Sequence, residues 1–178
     1  TSSELGRHGV AVPATLPSGT PCHAIVRTLG YPLLSKPRFG RGGRGVMVYR
    51  SEADFSRPCP EEVVWQTFLA GEEFDLNLFV ERDGRVTSAI VLRKTRLKGG
   101  DVGNALAVER VSRPDVAYLG GRATRVLGLE GPIDIDIRLG NDGAPAVLDV
   151  NARVGANVLS APEVLDALED AWRNGRCD

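Results

Sequence analysis

Residues 131–155 read GPIDIDIRLGNDGAPAVLDVNARVG, two alternating runs around a turn signal. In the first run Ile133, Ile135, Ile137 and Leu139 recur at period two, which leaves Asp134, Asp136 and Arg138 on the opposite face. In the second, Val147, Asp149, Asn151 and Arg153 share a face. With Asp142 and Gly143 as the two central turn residues, Asp136 lies opposite Asp149, and Asp134 opposite Asn151. Like charges directly across a ladder repel, so the pattern calls for something positive between them. One reading is a hard divalent cation held by carboxylate, amide and phosphate oxygens, magnesium first and manganese second. The other is a solvated strand face on which Arg138 and Arg153 neutralise the aspartates. A longer turn shifts the pairing by a residue or two, but Asp149, Asn151 and Arg153 keep their common face.

Upstream, Phe74, Leu76, Leu78 and Val80 alternate onto one face, Asp83-Gly84 makes a turn, and VTSAIVLRKTRL returns as the partner strand. Near its end Lys94, Arg96 and Lys98 project together, followed by Gly99, Gly100 and Gly103. Taken singly that is an edge strand protected by cations; facing a crevice it is a polyphosphate clamp. Val116, Leu119, Ala123, Val126 and Leu127 then recur at helical spacing before Gly128. A last helix is marked by Ser160 with Glu163 as a capping box and Gly175 as a stop.

The first part of the chain carries a second motif, KPRFGRGGRGV at 36–46, between the strand-like YPLLSK and VMVY. Glycines at 40, 42, 43 and 45 let the backbone bring its N–H groups close to an anion, with Lys36 able to reach a phosphate. A plain hairpin turn accounts for the same residues. A disordered arginine–glycine tract does not, since the segment occurs once and is clamped between apolar strands. Around it, Thr20 as N-cap, Pro21 and Gly30 bracket a short helix, SEADF a brief one, and EVVWQTFL a buried strand. The expected organisation is a small α+β lid subdomain at 1–65 and a larger α+β subdomain at 66–178.

Charge sets limits on partners. Twenty-two Lys and Arg against 23 Asp and Glu leave the chain near neutral, which argues against a nucleic-acid partner. No apolar run reaches the roughly 20 residues of a membrane span. Cys22, Cys59 and Cys177 are odd in number, far apart and without metal-type spacing, which suits a reducing compartment and a cytoplasmic location. His8 and His23 read as surface residues.

Taken together, GYPLLSKPRFGRGGRGV, VVWQTFLAGEEFDLNLFV and IDIDIRLGNDGAPAVLDVNAR resemble, in order, three segments of the ATP-grasp superfamily, which includes D-alanine:D-alanine ligase, biotin carboxylase and the carbamoyl-phosphate synthetase large subunit. The resemblance implies an ATP-grasp fold of two α+β subdomains with the nucleotide held between them. It implies that Lys36 contacts ATP phosphate and that Gly40, Gly42, Gly43, Arg44, Gly45 and Val46 form a lid over the phosphates. Gln66, Thr67, Phe68 and Leu69 would be the hinge that meets adenine, and Glu73 would accept the ribose hydroxyls. Asp136, Asp149 and Asn151 would hold magnesium, with Arg153 and Lys94 near the transferring phosphoryl group.

Departures narrow the expectation. Gln66 and Asp149 each stand where relatives commonly carry glutamate. Asp134 occupies the place of a D-alanine ligase arginine, which favours the carbamoyl-phosphate-synthetase-like branch. The stretch from Tyr49 to Val63 is short. The chain also starts where relatives finish an amino-terminal Rossmann-like domain, so a fragment or a reduced relative is expected, with the missing domain or a homo-oligomer as a partner. The implied activity is an ADP-forming ligase that joins a small carboxylate to an amine or thiol through an acyl phosphate. The alternative is a nucleotide-binding module without independent ligation.

Overall fold

A computed structural model describes residues 1–40, 42–55 and 62–175. In chain order the elements are α1 (Ser2–Arg7), β1 (Thr15–Leu16), α2 (Cys22–Leu29), β2 (Leu33–Pro37), β3 (Met47–Tyr49), α3 (Glu52–Phe55), β4 (Val63–Thr67), β5 (Glu73–Val80), β6 (Val86–Leu97), β7 (Ala105–Arg110), α4 (Pro114–Leu127), β8 (Gly131–Leu139), β9 (Pro145–Asn151), a 3-10 turn at Val158–Ser160, and α5 (Pro162–Arg173). They form two units. The first gathers Thr1–Val12, Ala70–Arg96 and Ala105–Asp178; the second gathers Pro13–Leu69 and Leu97–Asn104. The boundary expected at 65/66 falls within β4, the N-terminal helix belongs to the first unit, and the tip of the β6–β7 hairpin belongs to the second.

The first unit is built on an antiparallel sheet in the order β7-β6-β5-β8-β9. Every residue of β5 is buried, because the strand is interior and both of its faces are covered. Phe74, Leu76, Leu78 and Val80 join Ile133, Ile135 and Ile137 of β8 against Val116, Leu119 and Ala123 of α4 and Leu5 of α1. On the other face, Phe79 and Leu92 pack with Ala161, Val164 and Ala171 at α5. That cluster stops short of the Glu73 end, where the same face turns polar. Gly120 explains why a good helix tolerates glycine, at a cost of about 1 kcal/mol relative to alanine. A Cβ there would stand 2.1 Å from Leu76 Cδ2, so the helix lies directly on β5.

The β8–β9 hairpin departs instructively from simple alternation. Gly140 N–H donates to Ala144 O, which makes the loop Asn141–Gly143, one residue longer than a two-residue turn. Next to it Ile137 pairs with Val147, and a bulge then restores the pairing of Asp136 with Asp149 and of Asp134 with Asn151. The expected acidic pairings therefore form. Val147, expected beside Asp149, instead lies in the apolar core, because the extra residue at Leu148 reverses the alternation.

The second unit carries the sheet β1-β4-β2-β3 over Ile25, Leu33, Tyr49, Val63 and Trp65. Tyr49, Phe55 and Trp65 stack edge-on or tilted, with centroids 5.3 to 5.5 Å apart. Three local readings are corrected. Pro21, not Thr20, is the N-cap of α2, and the Thr20 hydroxyl instead donates to Pro17 O at 2.8 Å. Ala161, not Ser160, caps α5, whose Glu163 carboxylate pairs with Arg110. Strand β6 is interior, between β7 and β5, so its cations do not protect an edge.

His8 and His23 are exposed. Cys22 is disulfide-bonded; Cys59 and Cys177 lie outside the described residues. Among the described residues no helix is long and apolar enough to cross a membrane.

Candidate functional site

The polar end of the first unit's sheet is assembled by register. Three neighbouring strands set Glu73 opposite Arg138, Asp75 opposite Asp136 and Asn77 opposite Asp134, then Asp136 opposite Asp149 and Asp134 opposite Asn151. Period two places these side chains on one face, where Lys94 of β6 joins them. Lys94 Nζ donates to Glu73 Oε1 at 2.6 Å and to Asp136 Oδ1 at 2.5 Å, with its side chain only 6% exposed. Burial opposes its charge, but Asp136 and Glu73 more than compensate and lift the ammonium above the usual lysine range.

Each remaining acid has a distinct environment. Glu73 Oε2 accepts from Arg138 Nη1 at 3.3 Å, and Arg138 Nε also donates to Gly71 O at 3.0 Å. Burial raises Asp136, with Lys94 pulling the other way. Asp134 rises to about 8, through burial first and then its hydrogen-bonded neighbour Asp75, with Arg153 opposing. Arg153 Nη1 reaches Asp134 Oδ2 at 3.1 Å. Asp149 is exposed, and neither it nor the Asn151 amide has a side-chain partner among the described residues.

That donor set bears on a metal. Among the described residues no three His, Cys, Asp or Glu side chains converge as a metal centre. Asp136, Asp149 and Asn151 supply hard oxygens from two carboxylates and one amide, too few to enclose an ion alone. The set suits magnesium, which keeps several ligands from water and phosphate.

In the second unit, Lys36 lies in β2 and is partly buried. Gly42, Gly43 and Gly45 all adopt positive φ, at 63°, 70° and 74°. Their need for glycine is also steric. A Cβ on Gly43 would sit 2.5 Å from Gly103 Cα, and one on Gly42 would sit 3.0 Å from Asn104 Oδ1. The glycine-rich loop thus rests on the loop after β6; Gly40, Arg44 and Val46 flank this contact, and Arg41 lies outside the described residues. Asp101 of that loop pairs with Arg50.

The hinge candidates are partly committed to their own fold. Gln66 is 2% exposed, and its amide donates to Thr15 Oγ1 at 2.9 Å. Thr67 and Phe68 N–H donate to Ala14 O and Pro32 O. Leu69 N–H has no partner among the described residues.

The structure therefore brings Glu73, Lys94, Asp136, Asp149, Asn151 and Arg153 together within one unit, and Lys36, the glycine loop and residues 66–69 within the other. Sequence reasoning missed Asp75, Asn77 and Asn157 on the polar face. Glu73, Asp75 and Asn77 alternate along EFDLNLFV, which was the available signal.

The chain matches the ATP-grasp domain family over residues 1–157. It is 27% identical over 185 aligned residues to a D-alanine--D-alanine ligase of Gloeobacter violaceus, covering 89% of this chain and 59% of that protein. It is also 27% identical over 145 residues to the carbamoyl phosphate synthase large chain of Beutenbergia cavernae, covering 72% of this chain and 13% of that one. Equal identity does not separate the two branches. In structure it resembles N5-carboxyaminoimidazole synthetase from Staphylococcus aureus complexed with ADP, with a TM-score of 0.73 at 16% identity, over 93% of this chain and 46% of the other. That likeness is one of fold. The chain spans less than two thirds of the length of each of these relatives.

Proposed function

The chain belongs to the ATP-grasp family, and from that premise we propose that it is the nucleotide-handling portion of an ATP- and magnesium-dependent ligase that forms ADP while joining a carboxylate to an amine or thiol. The observation that carries this reading is the pairing of Asp136 with Asp149 beside Lys94, on a face where Asp149 and Asn151 keep their oxygens available. A divalent ion held by Asp136, Asp149 and Asn151 supplies charge neutralisation on phosphate oxygens. Lys94, held cationic by two carboxylates, presents a fixed positive charge to the phosphoryl group, and Arg153 supplies a second at the open edge of the site. Lys36 and the loop 40–46 serve the phosphates through backbone N–H groups and charge. Of the hinge residues, Leu69 has the N–H available for an adenine nitrogen. The Glu73 carboxylate, already holding Lys94 and Arg138, meets ribose hydroxyls only through oxygen lone pairs those cations leave free.

The reaction class is that of the ATP-grasp ligases this chain is similar to. A carboxylate takes the terminal phosphoryl group of ATP, ADP leaves, and an amine or thiol then displaces phosphate from the activated acyl group. The test is ADP release by the purified chain over a panel of small carboxylates and amines. Release that requires magnesium and both acceptors supports the ligase.

A second reading is a nucleotide-binding module that does not ligate by itself, and it rests on the chain spanning 59% and 13% of the two curated relatives. Magnesium-dependent nucleotide binding with no ADP formed over the whole panel favours it.

A further inference from the structure

The segment 152–157, between β9 and the 3-10 turn, carries Arg153 and lies on the polar face of the sheet. Its backbone touches that face closely. A Cβ on buried Gly155 would stand 2.7 Å from Asn77 Oδ1 and 3.1 Å from Asp134 Cγ, so only glycine permits this approach. Arg153 itself does not account for the placement. Its side chain is 57% exposed, and a single contact with Asp134 from such a position contributes little.

Asp75 is different. It is 3% exposed, has no Lys or Arg ion-pair partner among the described residues, and uses both carboxylate oxygens as acceptors. Oδ1 accepts from Asn77 Nδ2 at 2.7 Å, and Oδ2 accepts from Asn157 Nδ2 at 2.6 Å. A buried acid with no countercharge is costly, and beside the Asp134 carboxyl to which it is hydrogen-bonded it holds two amide donors in return. One donor lies on its own strand. The other lies on the segment that carries Arg153.

We propose that Asp75 and Asn157 form a latch that holds residues 152–157 on the sheet and so fixes where the Arg153 guanidinium stands; both are positioning residues, and this role rests on the ligase reading above. Opening the latch leaves the magnesium ligands on β8 and β9 in place, so nucleotide affinity is largely kept while turnover falls.

The test exchanges the two partners in the full chain. Asn157→Asp sets a carboxylate against Asp75. The double variant Asp75→Asn with Asn157→Asp restores a donor and an acceptor, and still lets residue 75 accept from Asn77. Amide hydrogen exchange of residues 152–157 is the first readout, since it does not depend on activity. It is expected to quicken roughly ten- to hundredfold in Asn157→Asp and return toward wild type in the double variant. The second readout is ADP release, with kcat lowered and the nucleotide KM nearly unchanged in the single variant, and kcat recovered in the double. Asn157→Ala removes the donor without adding charge, and provides the same comparison should Asn157→Asp fail to fold. Unchanged exchange in Asn157→Ala, or no recovery in the double variant, overturns the latch. Faster exchange that the double variant reverses, in a chain that never forms ADP, upholds the latch and rejects the ligase reading instead.

Discussion

Asp136 pairs with Asp149 across the β8–β9 ladder although the next pair toward the turn, Ile137 with Val147, is one residue out of step with it. A bulge at Leu148 makes up the difference, so a three-residue loop delivers the acidic pairing that a two-residue turn would give. The consequence is a face where two carboxylates meet while the isoleucines opposite stay in the core. Repulsion between the acids is relieved on one side only, by Lys94 on Asp136.

Lys94 therefore has a structural role, whatever it does to a bound phosphate. Lys94→Met leaves Glu73 and Asp136 without the ammonium they share in a buried site, and a loss of about 3 kcal/mol is expected at pH 7. Urea denaturation measures it. A loss under about 1 kcal/mol would mean that the two ion pairs contribute no more than exposed ones.

Asp134 gives the metal-free, nucleotide-free protein a pH dependence of definite sign. Its carboxyl holds a proton up to about pH 8 in the folded chain, whereas the ordinary value is 3.8. Between those values the native state binds more protons at this site than the unfolded state, so its contribution to stability falls as pH rises through the window. Asp134→Asn has no such proton to lose. In EDTA, the melting temperature of the variant minus that of wild type should grow from pH 4 to pH 8. Parallel curves over that range would contradict the raised value.

The glycine-rich loop docks through Gly43, where positive φ and the 2.5 Å approach to Gly103 leave no room for a side chain. Gly43→Ala should speed amide exchange in both 42–46 and 99–104 while leaving β5 and β8 protected. Unchanged exchange in both loops would show that the contact does not hold them.

Period two was enough to read the isoleucine face and the strand with Phe74, because both follow from alternation alone; the acidic pairing was read from a two-residue turn, and it forms because the bulge at Leu148 offsets the longer loop. Leu148 was not legible as a bulge. Nothing in AVLDVN distinguishes one extra residue from regular alternation, and Val147 was misplaced for that reason. Thr20 and Ser160 looked like caps, but each helix starts one residue later, with Pro21 and Ala161 at the boundary. Asp75 and Asn77 went unread because an alternating strand suggests a solvated polar face, whereas here both are buried, with the 152–157 segment lying against them. Asn157 lies far from Asp75 in sequence, and such a contact has no local signature.

Asp149 and Asn151, whose side chains have no partner among the described residues, are proposed to hold magnesium for a nucleotide. Both changes, Asp149→Ala and Asn151→Ala, should alter folding stability by about 0.5 kcal/mol or less, since neither side chain supports the fold. Isothermal titration of ATP, with magnesium and with EDTA, tests this in wild type and in the double variant. The account predicts heat and a raised melting temperature in wild type only when magnesium is present, with both lost in the variant. Binding that persists undiminished in the variant, or no binding by the wild-type chain, would contradict it.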